Sequence, residues 1–187
     1  MLILAIAVAC GNSREVTRVD PNTQMDISGR WNDTDSKQVA DEMISDALSR
    51  PWLARFNEAN DGAAPVVIIG DVINKSHEHI ASETFIKDIE RAFVNSGKVR
   101  VVENAELRDK IREELGSQQG NATEDSKKEL AKELGADFIM FGSINSTVDA
   151  YKKEKVVSYK VNLEMVTLES TEKVWIGDKE IKKYVKN

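Results

Sequence analysis

The run PVVIIGDVIN (65–74) constrains the fold of this chain more than any other feature. It is rich in β-branched residues and continuously apolar over its first half. It lacks the alternation of apolar and polar residues that marks a strand with one solvent-exposed face. Strands of this kind are buried on both faces and are typical of parallel sheets that helices cover. We therefore expect a buried central strand within a layered α/β fold.

Helical patterns flank this strand. An amphipathic helix is predicted from Asp35, with Thr34 or Asp35 as its N-cap, and a further apolar turn follows Pro51. Its inward residues recur at helical spacing: Val39, Ala40, Met43, Ile44, Ala47 and Leu48. After the strand, Ser82 is predicted to cap a helix that Gly97 closes. Asn104 and Thr123 are predicted to open two more helices.

The remaining segments predict strands. They are VRVV (99–102), DFIMFGSINST (137–147), YKKEKVVSYKVNLEMVTLE (151–169) and KVWIGDKEIKK (173–183). In the last strand the apolar residues change from even positions (Val174, Ile176) to an odd one (Ile181), which predicts a bulge near Gly177–Asp178. The order predicts one α/β layered domain over residues 35–187, with a mixed sheet that ends in a C-terminal antiparallel meander.

The chain starts with nine apolar or small residues that lead into Cys10, its only cysteine. Nine residues are too few to cross a membrane, which takes about 20. The run resembles a bacterial lipobox, which predicts a lipoprotein signal over residues 1–10 and acylation of Cys10. Gly11 after the cysteine fits sorting to the outer membrane. The alternative is an N-terminal strand with a buried cysteine, but polar residues follow Cys10 at once.

Residues 11–34 are polar and show no sustained period, which predicts a flexible tether. At ~3.3 Å per residue its contour length is about 80 Å. Trp31 is unusual in such a segment and is expected to mark where order begins.

The charge is unevenly distributed. A net charge of −6 argues against nucleic-acid binding, which takes a basic surface. Residues 151–187 nevertheless carry nine lysines against six acidic residues. A basic end of this kind can steer an acidic partner. The alternative is that the lysines protect the edge of a sheet.

Only one segment suggests chemistry, NKSHEHI (74–80). His77 and His79 on an extended segment could share a metal ion, which would make a metal-dependent enzyme. No third ligand or metal-site motif accompanies them, so we predict no metal and no cofactor. The alternative is that Glu78 or His79 hydrogen-bonds the loop that leads to Ser82.

Other catalytic motifs are missing from the sequence. VVIIG lacks the further glycines of a phosphate-binding loop, and Gly142-Ser143 lacks the second glycine of a nucleophile elbow. The protein is therefore predicted not to be an enzyme.

Three segments resemble a known family. Asn74, then Glu78-His79-Ile80, then the run Ser96-Gly97-Lys98-Val99-Arg100 resemble the LpoB family of outer-membrane lipoprotein activators of penicillin-binding proteins. LGADFIMFGSI and the closing hairpin are similar to the wider TolB/CsgG-like group of periplasmic domains. The resemblance covers residues 31–185.

The resemblance implies a TolB N-terminal-like domain that is anchored through a lipid on the periplasmic face of the outer membrane. It implies binding and activation of a bifunctional class A penicillin-binding protein in peptidoglycan synthesis, without catalysis. Asn74, Glu78 and His79 would then form a structural motif. The alternative is a non-catalytic component of envelope secretion or assembly. No partner-binding residue carries over; the basic 151–160 hairpin and the loop SQQGNATED (117–125) are the candidate docking surfaces.

Overall fold

The computed structural model describes residues 15–20, 23–102, 135–170 and 172–186. Its helices are α1 (Asp33–Ser49), α2 (Pro51–Ala59) and α3 (Ser82–Ser96). Its strands are β1 (Val66–Lys75), β2 (Arg100–Val102), β3 (Phe138–Tyr151), β4 (Glu154–Thr167) and β5 (Lys173–Lys186). The helices predicted to start at Asn104 and Thr123, and the loop 117–125, lie outside the described residues.

The strands form one mixed sheet in the order β2-β1-β3-β4-β5. Strand β1 runs parallel to both of its neighbours, while β3, β4 and β5 form an antiparallel meander. The predicted α/β class, the mixed sheet and the C-terminal meander are therefore confirmed. The two parallel neighbours of β1 also explain why its sequence shows no alternation of apolar and polar residues.

Helices α1 and α3 pack against each other and cover one face of the sheet, which we call the helix-covered face. Its largest fully buried side chains include Tyr159, Phe85, Phe93, Ile44 and Met140. A smaller apolar cluster lies on the opposite, outer face near the start of β1 and contains Val66, Ile68, Ala136, Ile139, Val166 and Leu168.

The helix starts differ from the prediction. The N-cap of α1 is Asn32, whose side chain accepts the Asp35 amide, while the Asp35 carboxylate accepts the Asn32 amide. This reciprocal capping box satisfies two backbone donors, so neither Thr34 nor Asp35 is the cap. Helix α3 starts after Ala81 without a side-chain cap, so the Ser82 prediction was also wrong. The prediction that Gly97 closes this helix is confirmed, and Gly97 adopts the left-handed conformation with φ 65°.

The predicted bulge near Gly177–Asp178 was wrong as well. Both residues lie directly opposite partners in β4, and the register changes at Val174 instead. Val174 packs against the same apolar cluster as Trp175 and Ile181, so the parity change is real but falls at Val174. Ile176 is 62% exposed and lies on the outer face. Trp175 and Ile181 point to the helix-covered face and keep a single parity.

The second half of the predicted tether lies against the domain. Gly29 is buried, and its carbonyl accepts a hydrogen bond from the Tyr159 hydroxyl at 3.4 Å. The Trp31 ring makes edge-to-face contacts with Phe85 and Tyr159, at centroid distances of 6.2 and 5.6 Å. The prediction of a flexible tether over 11–34 therefore does not hold for residues 26–34. We refer to residues 26–31 as the N-terminal segment.

Replacement of Gly29 tests how tightly this segment fits. Gly29 and Gly62 both have positive φ angles, 68° and 80°, but only at Gly29 would a Cβ meet another residue, Val185 Cγ2 at 2.2 Å. Gly62→Ala should cost about 1 kcal/mol of unfolding free energy from backbone strain alone. Gly29→Ala should cost roughly 1–3 kcal/mol more, because a stiff valine has to move. Urea unfolding of both variants measures the difference, and equal losses would contradict the packing described above.

Candidate functional site

The loop after β1 is closed by hydrogen bonds from Asn74. Its side-chain amide donates to the Glu78 carbonyl at 2.8 Å. Its side-chain oxygen accepts from the amide and hydroxyl of Ser76, at 2.9 and 2.7 Å. An asparagine that bonds the backbone just ahead of it fixes a tight turn. This turn presents the Glu78 side chain to the interior of the domain, where it is only 12% exposed.

The Glu78 carboxylate joins the loop to the N-terminal segment. One oxygen accepts the backbone N–H of Trp31 at 3.2 Å. Glu78 also faces the hydroxyl of Tyr159, whose pKa is raised strongly, by burial first and then by this carboxylate. Tyr159 therefore stays protonated and keeps its hydroxyl hydrogen to donate. Glu78 thus holds together three parts of the chain that are distant in sequence.

His77 and His79 do not share a common site. The Nδ1 atom of His77 lies 2.5 Å from the Ser146 hydroxyl, its Nε2 atom lies 3.4 Å from Glu78, and its ring stacks on Tyr159. Both ring nitrogens of His77 thus face protein partners, while His79 is exposed. Among the described residues, no group of three or more His, Cys, Asp or Glu side chains could hold a metal ion.

A buried lysine forms the second part of the site. The Lys183 ammonium lies 2.6 Å from Asp35 and 2.6 Å from Asp26, and it donates to the Arg30 carbonyl at 2.9 Å. The side chains of Lys183 and Asp35 are only 7% and 5% exposed. Three acceptors match the three hydrogens of an ammonium group. This ion cluster joins β5 to the start of α1 and to the N-terminal segment.

The charges of the cluster support one another. Burial alone would lower the pKa of Lys183, but its hydrogen bonds to Asp26 and Asp35 outweigh burial and raise it. The same bond from Lys183 is the main cause of a lowered pKa at Asp26. The Asp26 contribution to stability is therefore present above its ordinary pKa of 3.8 and is lost as the pH falls through the lowered value. The Lys183 contribution to stability is present below its ordinary pKa of 10.5 and is lost as the pH rises through the raised pKa.

Sequence reasoning missed this cluster. Lys183 stands among lysines whose pattern is typical of a protected sheet edge, and Asp26 falls within the predicted tether. The parity of β5 is the signal that could have found it. Lys183 lies two residues beyond Ile181 and eight beyond Trp175, so it shares their helix-covered face. A lysine at such a position needs buried acceptors, since an unpaired buried charge is very costly.

Of the predicted docking surfaces, only the 151–160 hairpin is described. Val157 and Tyr159 are buried, and Lys160 pairs with Asp178 at 3.2 Å. Lys152 and Lys153 are exposed at the turn and Lys155 is half-buried, while Lys160 is exposed but paired, so the unpaired lysines of the hairpin lie within residues 152–155. Within the described ranges, no helix has the length and apolar character that crossing a membrane takes.

The family model described as peptidoglycan-synthase activator LpoB matches residues 35–181. The chain belongs to the LpoB family. The predicted family is thereby confirmed, and the description names an activator of a synthase rather than a catalyst. A search of the curated proteins returned no match.

Solved structures agree with this assignment at the level of the fold. The LpoB C-terminal domain from Escherichia coli matches with a TM-score of 0.56 at 18% identity, over 80% of this chain and 99% of that one. The LpoB C-terminal domain from Salmonella enterica matches with a TM-score of 0.52 at 16% identity and the same coverage. The NMR structure of Escherichia coli LpoB matches with a TM-score of 0.50 at 16% identity, over 98% of this chain and 88% of that one.

Lys183 and its neighbour Lys182 offer a matched test of the ion cluster. Lys183→Met should lower the unfolding free energy by about 3–5 kcal/mol, because it leaves Asp35 buried without a cation. Lys182→Met removes the same charge from a side chain that is 64% exposed and should change stability by less than about 0.5 kcal/mol. Thermal and urea unfolding of the two variants measures this. A loss at Lys183 no larger than that at Lys182 would contradict the role of the cluster.

Proposed function

We propose that this protein is an outer-membrane-anchored lipoprotein that binds a class A penicillin-binding protein and activates its synthesis of peptidoglycan from the periplasmic side. The match of residues 35–181 to the LpoB family of peptidoglycan-synthase activators carries the proposal. The domain contributes no catalytic group of its own. It acts by binding one conformation of the synthase more tightly than the other.

Activation of this kind depends on differential affinity. A binding domain shifts a two-state enzyme only by as much as it prefers the active state, and a hundredfold preference corresponds to about 2.7 kcal/mol. A rigid binding surface loses less conformational entropy when it docks. The Glu78 contacts and the ion cluster supply this rigidity, because they fix the first helix, the loop after β1 and the last strand to one another.

The anchor and the tether raise the local concentration of the domain. Acylation at Cys10 would confine the protein to a membrane surface. Because Asp26 is held against Lys183, the predicted tether would extend only from Cys10 to Asp26. At ~3.3 Å per residue this spans about 50 Å when fully extended. The domain would therefore search a thin layer below the membrane, where the effective concentration of a reachable synthase is high.

A pull-down tests the partner. The bait is the chain from Thr23 to the C-terminus, which retains Asp26, and the source is detergent-solubilised envelope. We expect recovery of a class A penicillin-binding protein and faster polymerisation of lipid II when the two purified proteins are mixed. The Lys183→Met bait, with its ion cluster broken, serves as the control for a weakened fold. Recovery of a secretion or assembly component without any synthase would contradict the proposal.

Metabolic labelling tests the anchor. Labelled palmitate should enter the full-length protein and should not enter Cys10→Ser, since Cys10 is the only cysteine. A second variant, Cys10→Ser with Ser13→Cys, keeps one thiol close by but outside the lipobox position and should also stay unlabelled. Label in either variant, or fractionation of the wild-type protein as a soluble species, would contradict acylation at Cys10.

A further inference from the structure

The β3–β4 hairpin ends in a projecting tip, which we define as residues 148–155. Every residue from 147 to 154 is exposed, on both faces of the sheet. Val148 and Tyr151, which belong to opposite faces, are 45% and 72% exposed. In a strand pair that lies against helices, one face would be buried. The tip therefore extends beyond the helix layer.

Strand register adds a second tyrosine beside the tip. Tyr151 lies opposite Glu154, which in turn lies opposite Lys186. Tyr184, 60% exposed, is two residues from Lys186 and shares its face, and its hydroxyl bonds Glu154. Two large aromatic side chains are thus exposed on one small patch. Exposed tyrosines of this kind are enriched at protein interfaces.

The lysines of the tip lack acidic partners. Within the described ranges, Lys152, Lys153 and Lys155 form no ion pair, although the Lys152 ammonium lies 5.1 Å from the centre of the Tyr151 ring. Lysines farther along the same strands are paired, namely Lys160 with Asp178, Lys173 with Glu164 and Lys179 with Glu42. Among the lysines of the β3–β5 meander, those without an ion pair therefore lie at the tip.

Protection of a sheet edge does not explain these lysines. Lys155 belongs to β4, which is paired on both sides, with Ala150 in β3 and Val185 in β5. Lys152 and Lys153 lie in the turn between β3 and β4. The outer edge of the meander belongs to β5, whose own lysines can protect it. The tip lysines are thus available for another role.

We propose that the tip, with Tyr151, Lys152, Lys153, Lys155 and the adjacent Tyr184, is the docking element that inserts into an acidic cleft of the synthase. This inference rests on the function proposed above and names the surface that performs it. The tip lysines steer the encounter with an acidic surface, and the tyrosines supply contact area once docked.

The composition of the patch favours a protein over a lipid surface. Asp149 and Glu154 lie among the lysines and tyrosines, and an anionic bilayer would repel both carboxylates. A folded cleft can place groups of either sign against them. A narrow projection also matches a concave site better than it matches a flat membrane.

Charge reversal in the full chain tests the proposal. Lys153→Glu/Lys155→Glu is compared with Lys98→Glu/Arg100→Glu, which makes the same change in net charge at the opposite end of the parallel strands. Lys98 and Arg100 are also exposed. Each protein is titrated in detergent against the purified class A penicillin-binding protein at several salt concentrations. We expect the tip variant to bind roughly tenfold more weakly at low salt and with a smaller salt dependence, while the control binds like wild type.

Tyr151→Ser provides a second variant without a change of charge, and it should also weaken binding severalfold. The same proteins are assayed on vesicles of phosphatidylethanolamine and phosphatidylglycerol. If the wild-type chain fails to bind the synthase, the proposed function itself is overturned. If wild type and tip variants bind the synthase equally, only the docking surface is overturned. A tip variant that loses vesicle binding but keeps synthase binding would assign the patch to the membrane and also overturn the proposal.

Discussion

The Lys183 ammonium, buried between Asp35 and Asp26, is the interaction on which the arrangement of this domain depends. Each partner belongs to a different part of the chain: the last strand, the first helical turn and the residues that precede it. The Asp35 carboxylate also accepts the Asn32 amide in the capping box that starts the first helix. One side chain therefore sets where α1 starts and where it sits relative to β5. An apolar residue at 183 would pack there but would not specify this position.

Glu78 plays a similar role from the other side of the N-terminal segment. It holds the Trp31 amide, while the Trp31 indole donates to Ser36 in α1 at 2.8 Å. The ion cluster and the Glu78 loop thus hold the same short segment from two directions, and Tyr159 lies between them. Buried polar groups of this kind are costly when left unpaired, so the contacts are expected to form or break together. We therefore expect the helix-covered face to unfold as one unit.

The sequence predicts the layers of this fold well because periodicity reports burial. The continuous apolar run of β1, the Gly97 helix end and the alternation in β4 each depend on local neighbours. The Lys183 contacts could not be predicted in this way, since their partners lie about 150 residues away in sequence. Asp26 belongs to a polar stretch that reads as a tether. Asp26 is held in place by the Lys183 ammonium, which is distant in sequence and leaves no sign in the pattern around Asp26. The Val174 bulge was misplaced for a related reason, because an exposed Ile176 looks apolar and inward in the sequence alone.

The route of the chain also relates the tether to the tip. Asp26 contacts Lys183, and Gly29 packs on Val185, which lies opposite Lys155 at the base of the tip. The N-terminal segment and the projecting hairpin therefore meet at the same end of β5. Tension from a lipid anchor would then act on the Asp26–Lys183 pair close to the tip, and not through the apolar core. In the proposed function, a synthase held by the tip would lie close to where the predicted tether leaves the domain, and the length of that tether would then set how far below the membrane the synthase can be engaged.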